Sequence, residues 1–210
     1  MDNSDSSLRK LFELIIAGDA TAVSGQLSCS SRLAQASIQA GATRQEPNEF
    51  FLDPIKRCVY AGDTALHIAA AAYQSEIAGM LLAAGANVHA RNRRGQEALH
   101  AASIGNPCSP RWNPSAQTAT IILLIEAGAD PNSLDQSGVS PLHKAIRTRC
   151  AEAVKTLLAH GADPTLKNKS GSTPMVLAIH NTGRGGTGSP KAKAQQQEIA
   201  LMLAQALKAK

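Results

Sequence analysis

GDTALHIAA at Gly62–Ala70 returns as GQEALHAAS at Gly95–Ser103, GVSPLHKAI at Gly138–Ile146 and GSTPMVLAI at Gly171–Ile179. The opening glycines lie 33, 43 and 33 residues apart. A second motif travels with the first: MLLAAGANV at Met80–Val88, LLIEAGADP at Leu123–Pro131 and TLLAHGADP at Thr156–Pro164. Self-similarity at a period of about 20–50 residues marks a stacked architecture, in which each unit buries its apolar face only against its neighbours.

Each part of the motif has a physical task. Gly62, Gly95, Gly138 and Gly171 fall where a hairpin tip needs positive φ. Pro141 and Pro174 suit a first helical turn, where no N–H is required. Thr64 and Thr173 stand ready to cap that turn. Leu66, Leu99 and Leu142 face inward, and Ala69, Ala70, Ala101 and Ala102 let neighbouring helices approach closely. The sets Ala78/Ile121/Val154, Leu81/Leu124/Leu157 and Leu82/Ile125/Leu158 form one helical stripe repeated per unit.

In these residues the chain resembles the ankyrin repeat: T-A-L-H at Thr64–His67, E-A-L-H at Glu97–His100, S-P-L-H at Ser140–His143 and T-P-M-V at Thr173–Val176, each followed by an apolar helix and, in the first three units, by G-A-[ND]. The resemblance implies an all-α, ankyrin-type α-solenoid with short β-hairpin loops. Four units fill 55–210, starting near 62, 95, 138 and 171. Residues 1–54 form a divergent capping unit, helical over 6–40, and an irregular connector. Pro47 and Pro54 argue against helix there, and Phe50, Phe51 and Tyr60 pin the connector to the first unit. The last helix spans Ala194–Lys208 and buries Ile199, Met202, Leu203 and Leu207.

Composition fits thin, close-packed helices: 43% of residues are hydrophobic but only 3% aromatic. Cys29, Cys58, Cys108 and Cys150 are scattered without a C-x-x-C pair, which suggests reduced thiols. The opening MDNSDSSLRK lacks the basic and apolar regions of a signal peptide, and Ile121–Ile125 is too short to span a bilayer. A cytoplasmic protein is expected; secretion as an effector, by a route without such a signal, stays open. The net charge of +5 is uneven. Residues 138–210 carry 11 Lys/Arg against three Asp/Glu, which favours an acidic or phosphorylated partner, or is a solvated basic surface.

No catalytic set is legible: there is no H-E-x-x-H and no G-x-S-x-G. His67, His100 and His143 hold one slot in successive units, roughly 10 Å apart on helix-packing distances, too far to share a metal ion. The resemblance implies that they bond neighbouring backbone. GRGGTGSPK at Gly183–Lys191 has Ser189 where a phosphate loop needs lysine, and reads as a linker or a weak anion site at a helix start. No cofactor and no metal are expected.

The resemblance implies a non-catalytic protein–protein interaction scaffold. The partner is another protein of acidic character; nucleic acid is not favoured, and the chain is read as a monomer. The alternative is a regulatory binder of an anionic ligand, working through the basic C-terminal third. Two surfaces compete. Insertions at about 106–117 and 181–193 occupy the inter-helix turns of the second and fourth units, and Arg111, Trp112, Arg147, Arg149, Arg184, Lys191 and Lys193 form a ridge along that edge. Trp112 equally reads as a lid on its own repeat. The rival surface is the row of hairpin tips, Asn92-Arg93-Arg94, Asp135-Gln136-Ser137 and Asn168-Lys169-Ser170, with the adjoining inner helices.

Overall fold

The structure, a computed structural model, describes residues 3–43, 50–105, 112–180 and 190–208. Its described residues form ten α-helices in five helix–turn–helix pairs: α1 (Asn3–Ala17) with α2 (Ala20–Cys29), α3 (Ala65–Ala71) with α4 (Ser75–Ala83), α5 (Ala98–Ala102) with α6 (Pro114–Glu126), α7 (Pro141–Arg147) with α8 (Ala151–Ala159), and α9 (Pro174–His180) with α10 (Pro190–Lys208); short 3-10 turns lie at Ser31–Ala34 and Asp53–Ile55. The odd-numbered helices pack on one another as an inner row, and the even-numbered ones as an outer row. This is the solenoid that the repeat implies. Leu66, Leu99 and Leu142 are buried in the inner row, and Leu81, Leu124 and Leu157 in the outer. Helices of five to seven residues are too short to persist alone, so the inner row depends on this packing.

The leading pair shares the plan of the others. Leu8, Leu11, Phe12 and Ile15 make the buried face of α1. Asp19 caps α2, its carboxylate accepting from Ala22 N–H at 2.9 Å. The connector, expected to be irregular, carries a small antiparallel hairpin of β1 (Phe51–Leu52) and β2 (Arg57–Cys58). Phe50, in the turn before β1, is buried, whereas Phe51 is 41% exposed and adds less to the anchoring of the connector. Pro47 lies outside the described residues.

The inter-helix turns come in two kinds. In the first and third units Tyr73 and Arg149 adopt φ of 56°, and the next residue's N–H bonds back to the inner helix: Gln74 to Ala69 O and Cys150 to Ala145 O, each at 3.0 Å. The second and fourth units have longer turns. There the equivalent carbonyls, Ala102 O and Ala178 O, accept instead from side-chain amides, Gln117 Nε2 at 2.9 Å and Gln196 Nε2 at 2.7 Å. Gln117 and Gln196 each stand seven residues before the buried leucine of their outer helix, as Gln74 and Cys150 do. One side-chain donor thus replaces the backbone donor that the insertion removes.

The insertion in the second unit also differs from expectation. Residues 114–117 are helix, not loop: α6 has 13 residues against nine in α4 and α8. Asn113 caps it, accepting from Ala116 N–H at 3.0 Å, and Pro114 takes the first helical position. Four inserted residues therefore add about one helical turn. The last helix starts at Pro190, earlier than Ala194. Ile199 and Leu203 are buried and Met202 half-buried, whereas Leu207 is exposed.

Replacing Gln117 by Leu leaves the buried Ala102 carbonyl without a donor. We predict a loss of about 1–3 kcal/mol, read as a lower urea midpoint at unchanged slope. Gln197→Leu, at an exposed site on α10, shifts stability by no more than ~0.5 kcal/mol.

Candidate functional site

The hairpin tips form a laced edge. In the tips of the last three units, a side-chain oxygen three residues before the tip glycine accepts two backbone N–H groups. Asn92 Oδ1 takes Arg94 (2.9 Å) and Gln96 (3.1 Å); Asp135 Oδ1 takes Ser137 (2.8 Å) and Val139 (3.0 Å); Asn168 Oδ1 takes Ser170 and Ser172 (3.0 Å each). Asn and Asp suit this task because their short side chains reach their own backbone two residues on. Successive tips are then tied together: Arg93 N–H donates to Ala61 O (2.7 Å), Gln136 N–H to Arg94 O and Lys169 N–H to Ser137 O (3.0 Å each). Gly62, Gly95, Gly138 and Gly171 have φ of 85°, 71°, 69° and 78°. The lacing leaves no room for a side chain at two of them: a Cβ would stand 2.8 Å from Asn92 Cα at Gly62, and 2.9 Å from Lys169 N at Gly138.

The three histidines connect each unit to the next. His67 Nδ1 accepts from Thr64 N–H (3.2 Å), His100 Nδ1 from Glu97 N–H (3.2 Å) and His143 Nδ1 from Ser140 N–H (3.3 Å). With Nδ1 accepting, the ring proton sits on Nε2 and is donated to the next unit: to Gln96 O at 2.9 Å, Val139 O at 3.1 Å and Ser172 O at 3.3 Å. Burial, the largest influence, pushes all three below the usual histidine range, His100 to about 4. His67 lies 4.0 Å from Asp63, but a neutral ring makes that contact no ion pair. Among the described residues, no three His, Cys, Asp or Glu side chains gather as a metal site.

Around these rings the carboxylates are buried and engaged. Asp63 meets Arg57 Nη2 at 3.1 and 3.2 Å, Tyr60 N–H at 2.8 Å and Asn92 Nδ2 at 2.8 Å. Burial raises its pKa, but Arg57 and the other donors outweigh it and hold the carboxyl below the usual range. Glu97 binds Arg91 through Nε (3.0 Å) and Nη2 (2.8 Å). Asp135 binds Lys144 Nζ and Gln96 Nε2, each at 3.1 Å, and is likewise shifted down: burial raises its pKa, but Lys144 and the Val139 and Gln96 donors together outweigh it.

The cations expected on the tips stay outside. Arg93 and Arg94 are exposed and flank the Tyr60 ring, with guanidinium carbons 5.5 and 5.0 Å from its centroid. Arg94 Nη1 also donates to Tyr60 Oη at 2.9 Å, and Arg93 Nη2 to Ala42 O. Lys169 is exposed on the last tip, and Arg147 in the last turn of α7. Asn92 and Asp135, expected as tip contacts, are buried braces, so the outward pair in those tips is the second and third residue.

The insertion edge is less exposed than the ridge requires. Arg149 is only 4% exposed, because its left-handed turn folds it into the stack. Trp112 is half-buried, packs on the core and donates Nε1–H to Gln117 Oε1 at 2.9 Å, the position of a lid. Gly105 lies beneath: a Cβ there would meet Cys150 Sγ at 2.5 Å and Trp112 Nε1 at 2.8 Å. Lys193 is exposed. Arg111, Arg184 and the Gly-rich residues 183–189 lie outside the described residues, as does the side chain of Lys191. Sequence reasoning missed the braces and the glutamine caps. The signal for the braces was present: Asn, Asp and Asn recur three residues before Gly95, Gly138 and Gly171.

Comparison with known proteins agrees with this geometry. Residues 61–93 match the family model described as ankyrin repeat, and residues 124–178 that described as ankyrin repeats in many copies. The chain is 36% identical over 99 residues to ankyrin repeat and SOCS box protein 16 of Mus musculus, covering 46% of this chain and 21% of that protein. It is 30% identical over 156 residues to E3 ubiquitin-protein ligase KEG of Arabidopsis thaliana, covering 73% of this chain and 8% of that one. It is 34% identical over 95 residues to B-cell lymphoma 3 protein homolog of Mus musculus, covering 45% and 20%. The chain thus spans about a fifth or less of these relatives.

The histidine pKa values are depressed on folding, so the unfolded chain takes up protons first as pH falls. Stability is intact above pH 6.5 and declines as pH falls from 6.5 towards about 4. We predict a slope approaching ~1.4 kcal/mol per pH unit per histidine. Urea titrations between those limits measure it, and His100→Gln flattens the slope. Asp63 and Asp135 act only below their ordinary value of 3.8, a separate window.

Proposed function

We propose that this chain, which belongs to the ankyrin-repeat family, is a non-catalytic protein-interaction module that receives an acidic segment of its partner on the hairpin tips and the adjoining inner helices. One observation carries the reading. Asp63, Glu97 and Asp135 are buried and bonded, while Arg93, Arg94 and Lys169 remain exposed. The face is therefore cationic although the sequence around it holds both signs. Tyr60 adds preorganisation: two arginines held against one ring lose less side-chain freedom when a carboxylate arrives. The backbone lacing fixes their spacing before any partner binds.

Recognition on this face is a matter of position and charge and involves no bond-breaking step. The alternative, an anionic ligand held by the C-terminal third alone, is less well supported, since Lys144 is committed to Asp135 and Arg149 is buried. Among the described residues no helix is long and apolar enough to cross a membrane. Cys29 and Cys150 are unpaired thiols, which is consistent with work in the cytoplasm.

Immobilised wild-type protein, Arg93→Glu/Arg94→Glu and Trp112→Ala are compared for partner capture from source-cell lysate, below the melting temperature of each. The charge-reversed protein is expected to lose the partner and Trp112→Ala to keep it. Retention falls at least ~tenfold between about 50 and about 500 mM salt, as exposed charges are screened. A partner lost by folded Trp112→Ala alone moves the working surface to the insertion edge.

A further inference from the structure

The row of hairpin tips has an order as well as a charge. In the last three units the outward residues come in pairs two apart, Arg91 and Arg93, Leu134 and Gln136, Lys167 and Lys169, and all six are exposed. Between the members of each pair stands the brace, Asn92, Asp135 or Asn168, turned inward onto its own hairpin. The pairs are neighbours in space. Gln136 N–H donates to Arg94 O and Lys169 N–H to Ser137 O, each at 3.0 Å, and Arg91 Nη1 reaches Leu134 O at 3.4 Å. Along one edge the sequence is therefore cationic, uncharged, cationic. Glu97 engages Arg91, so Arg93 and Arg94 carry the excess charge of the first cluster, and Lys167 and Lys169 carry that of the second. The uncharged step is also apolar: Leu134 is 38% exposed in the slot where its neighbours have arginine and lysine.

Spacing selects the shape of the occupant. Packed helices set successive units about 8–10 Å apart, and the tip-to-tip bonds hold the hairpins at the same step. A β-strand covers that step in about three residues, but its side chains alternate, so every third one points away. A polyproline II chain rises about 3.1 Å per residue with about three residues per turn, so every third side chain returns to one face after about 9 Å. It has no internal hydrogen bonds to break and little conformational freedom to lose. An α-helix matches the step only every seventh residue or so, and at about 10–12 Å across it overhangs an edge whose paired side chains stand about 7 Å apart. Resting on the tip reading, we infer that this edge receives a polyproline II segment of the partner with the pattern acid-x-x-apolar-x-x-acid. One acid meets Arg93 and Arg94, the apolar side chain meets Leu134, and the other acid meets Lys167 and Lys169. The pattern is the same in both chain directions, so either orientation satisfies the edge.

The test titrates labelled peptides onto the full chain by fluorescence anisotropy at about 50 mM salt, where exposed charges are least screened. The probe carries Glu-Pro-Pro-Leu-Pro-Pro-Glu. Controls replace its Leu by Ser, move each Glu one residue towards the Leu, or place Glu, Leu and Glu at i, i+7 and i+14 of a helical host. The probe is expected to bind more tightly than every control. Leu134→Asp weakens it roughly tenfold, as for a central apolar anchor. Arg93→Glu/Arg94→Glu and Lys167→Glu/Lys169→Glu each weaken it about two- to fivefold, as for exposed ion pairs. A probe with one Glu changed to Lys recovers affinity for either charge-reversed protein. All these side chains are exposed, and unchanged melting temperatures show that the variants fold. Equal binding of acidic peptides whatever their spacing, or tighter binding of the helical host, overturns the inference. If both depend on Arg93 and Arg94, the acidic-segment reading survives that result. No binding by any acidic peptide overturns the inference too, and overturns that reading with it only if partner capture is also indifferent to Arg93→Glu/Arg94→Glu.

Discussion

A neutral imidazole shared between two units is the contact on which the stack depends. Each of His67, His100 and His143 takes an N–H from the start of its own helix and gives one to a carbonyl of the following unit. Each hairpin carbonyl already accepts one backbone N–H of its own hairpin, from Asn92, Asp135 or Asn168, and the ring adds a second bond from the preceding unit; the helix-start amide relies on the ring, and a buried amide left alone is costly. A unit therefore satisfies its own helix start and ties itself to its neighbour's hairpin with one ring, and the ring must keep a single proton to do both. The backbone lacing along the tips runs parallel to this row and fixes the same spacing, so the arginines and lysines on the tips ride on a rigid edge.

Much of this was legible from residue spacing alone. The 33-residue period located the inner leucines, the outer stripe and the tip glycines, since these answer to local geometry that repeats. What escaped were features set by a neighbouring unit. Arg149 reads as a surface cation, but its left-handed turn and the packing of the last helix pair bury it. Trp112 was undecided because its cover is Gln117, a residue that reads as loop until Asn113 and Pro114 are recognised as a cap and a first turn. Phe50 and Phe51 read alike in sequence, yet the turn before β1 buries the first and leaves the second 41% exposed.

Charge also looks different once burial is known. The sequence places its excess of basic residues in the last third, whereas the exposed cationic surface begins earlier, at Arg93 and Arg94. The intervening acids are drawn inside to hold Arg57, Arg91 and Lys144. Such pairs contribute little net stability against their desolvation, but they orient the hairpins and remove negative charge from the surface. Position of charge, more than its sum, is what a partner meets.

The glutamine caps of the second and fourth units reach beyond their own hydrogen bonds. Where a tight turn supplies the donor to the inner helix, turn and helix pair are one object, and lengthening the turn breaks it. Where Gln117 or Gln196 supplies the donor, the joint between the helices is chemically closed whatever the chain does in between. Those two turns are less tied to the helix pair than the tight ones: their added length lies outside the bond that closes the joint, and the solenoid on either side keeps its register.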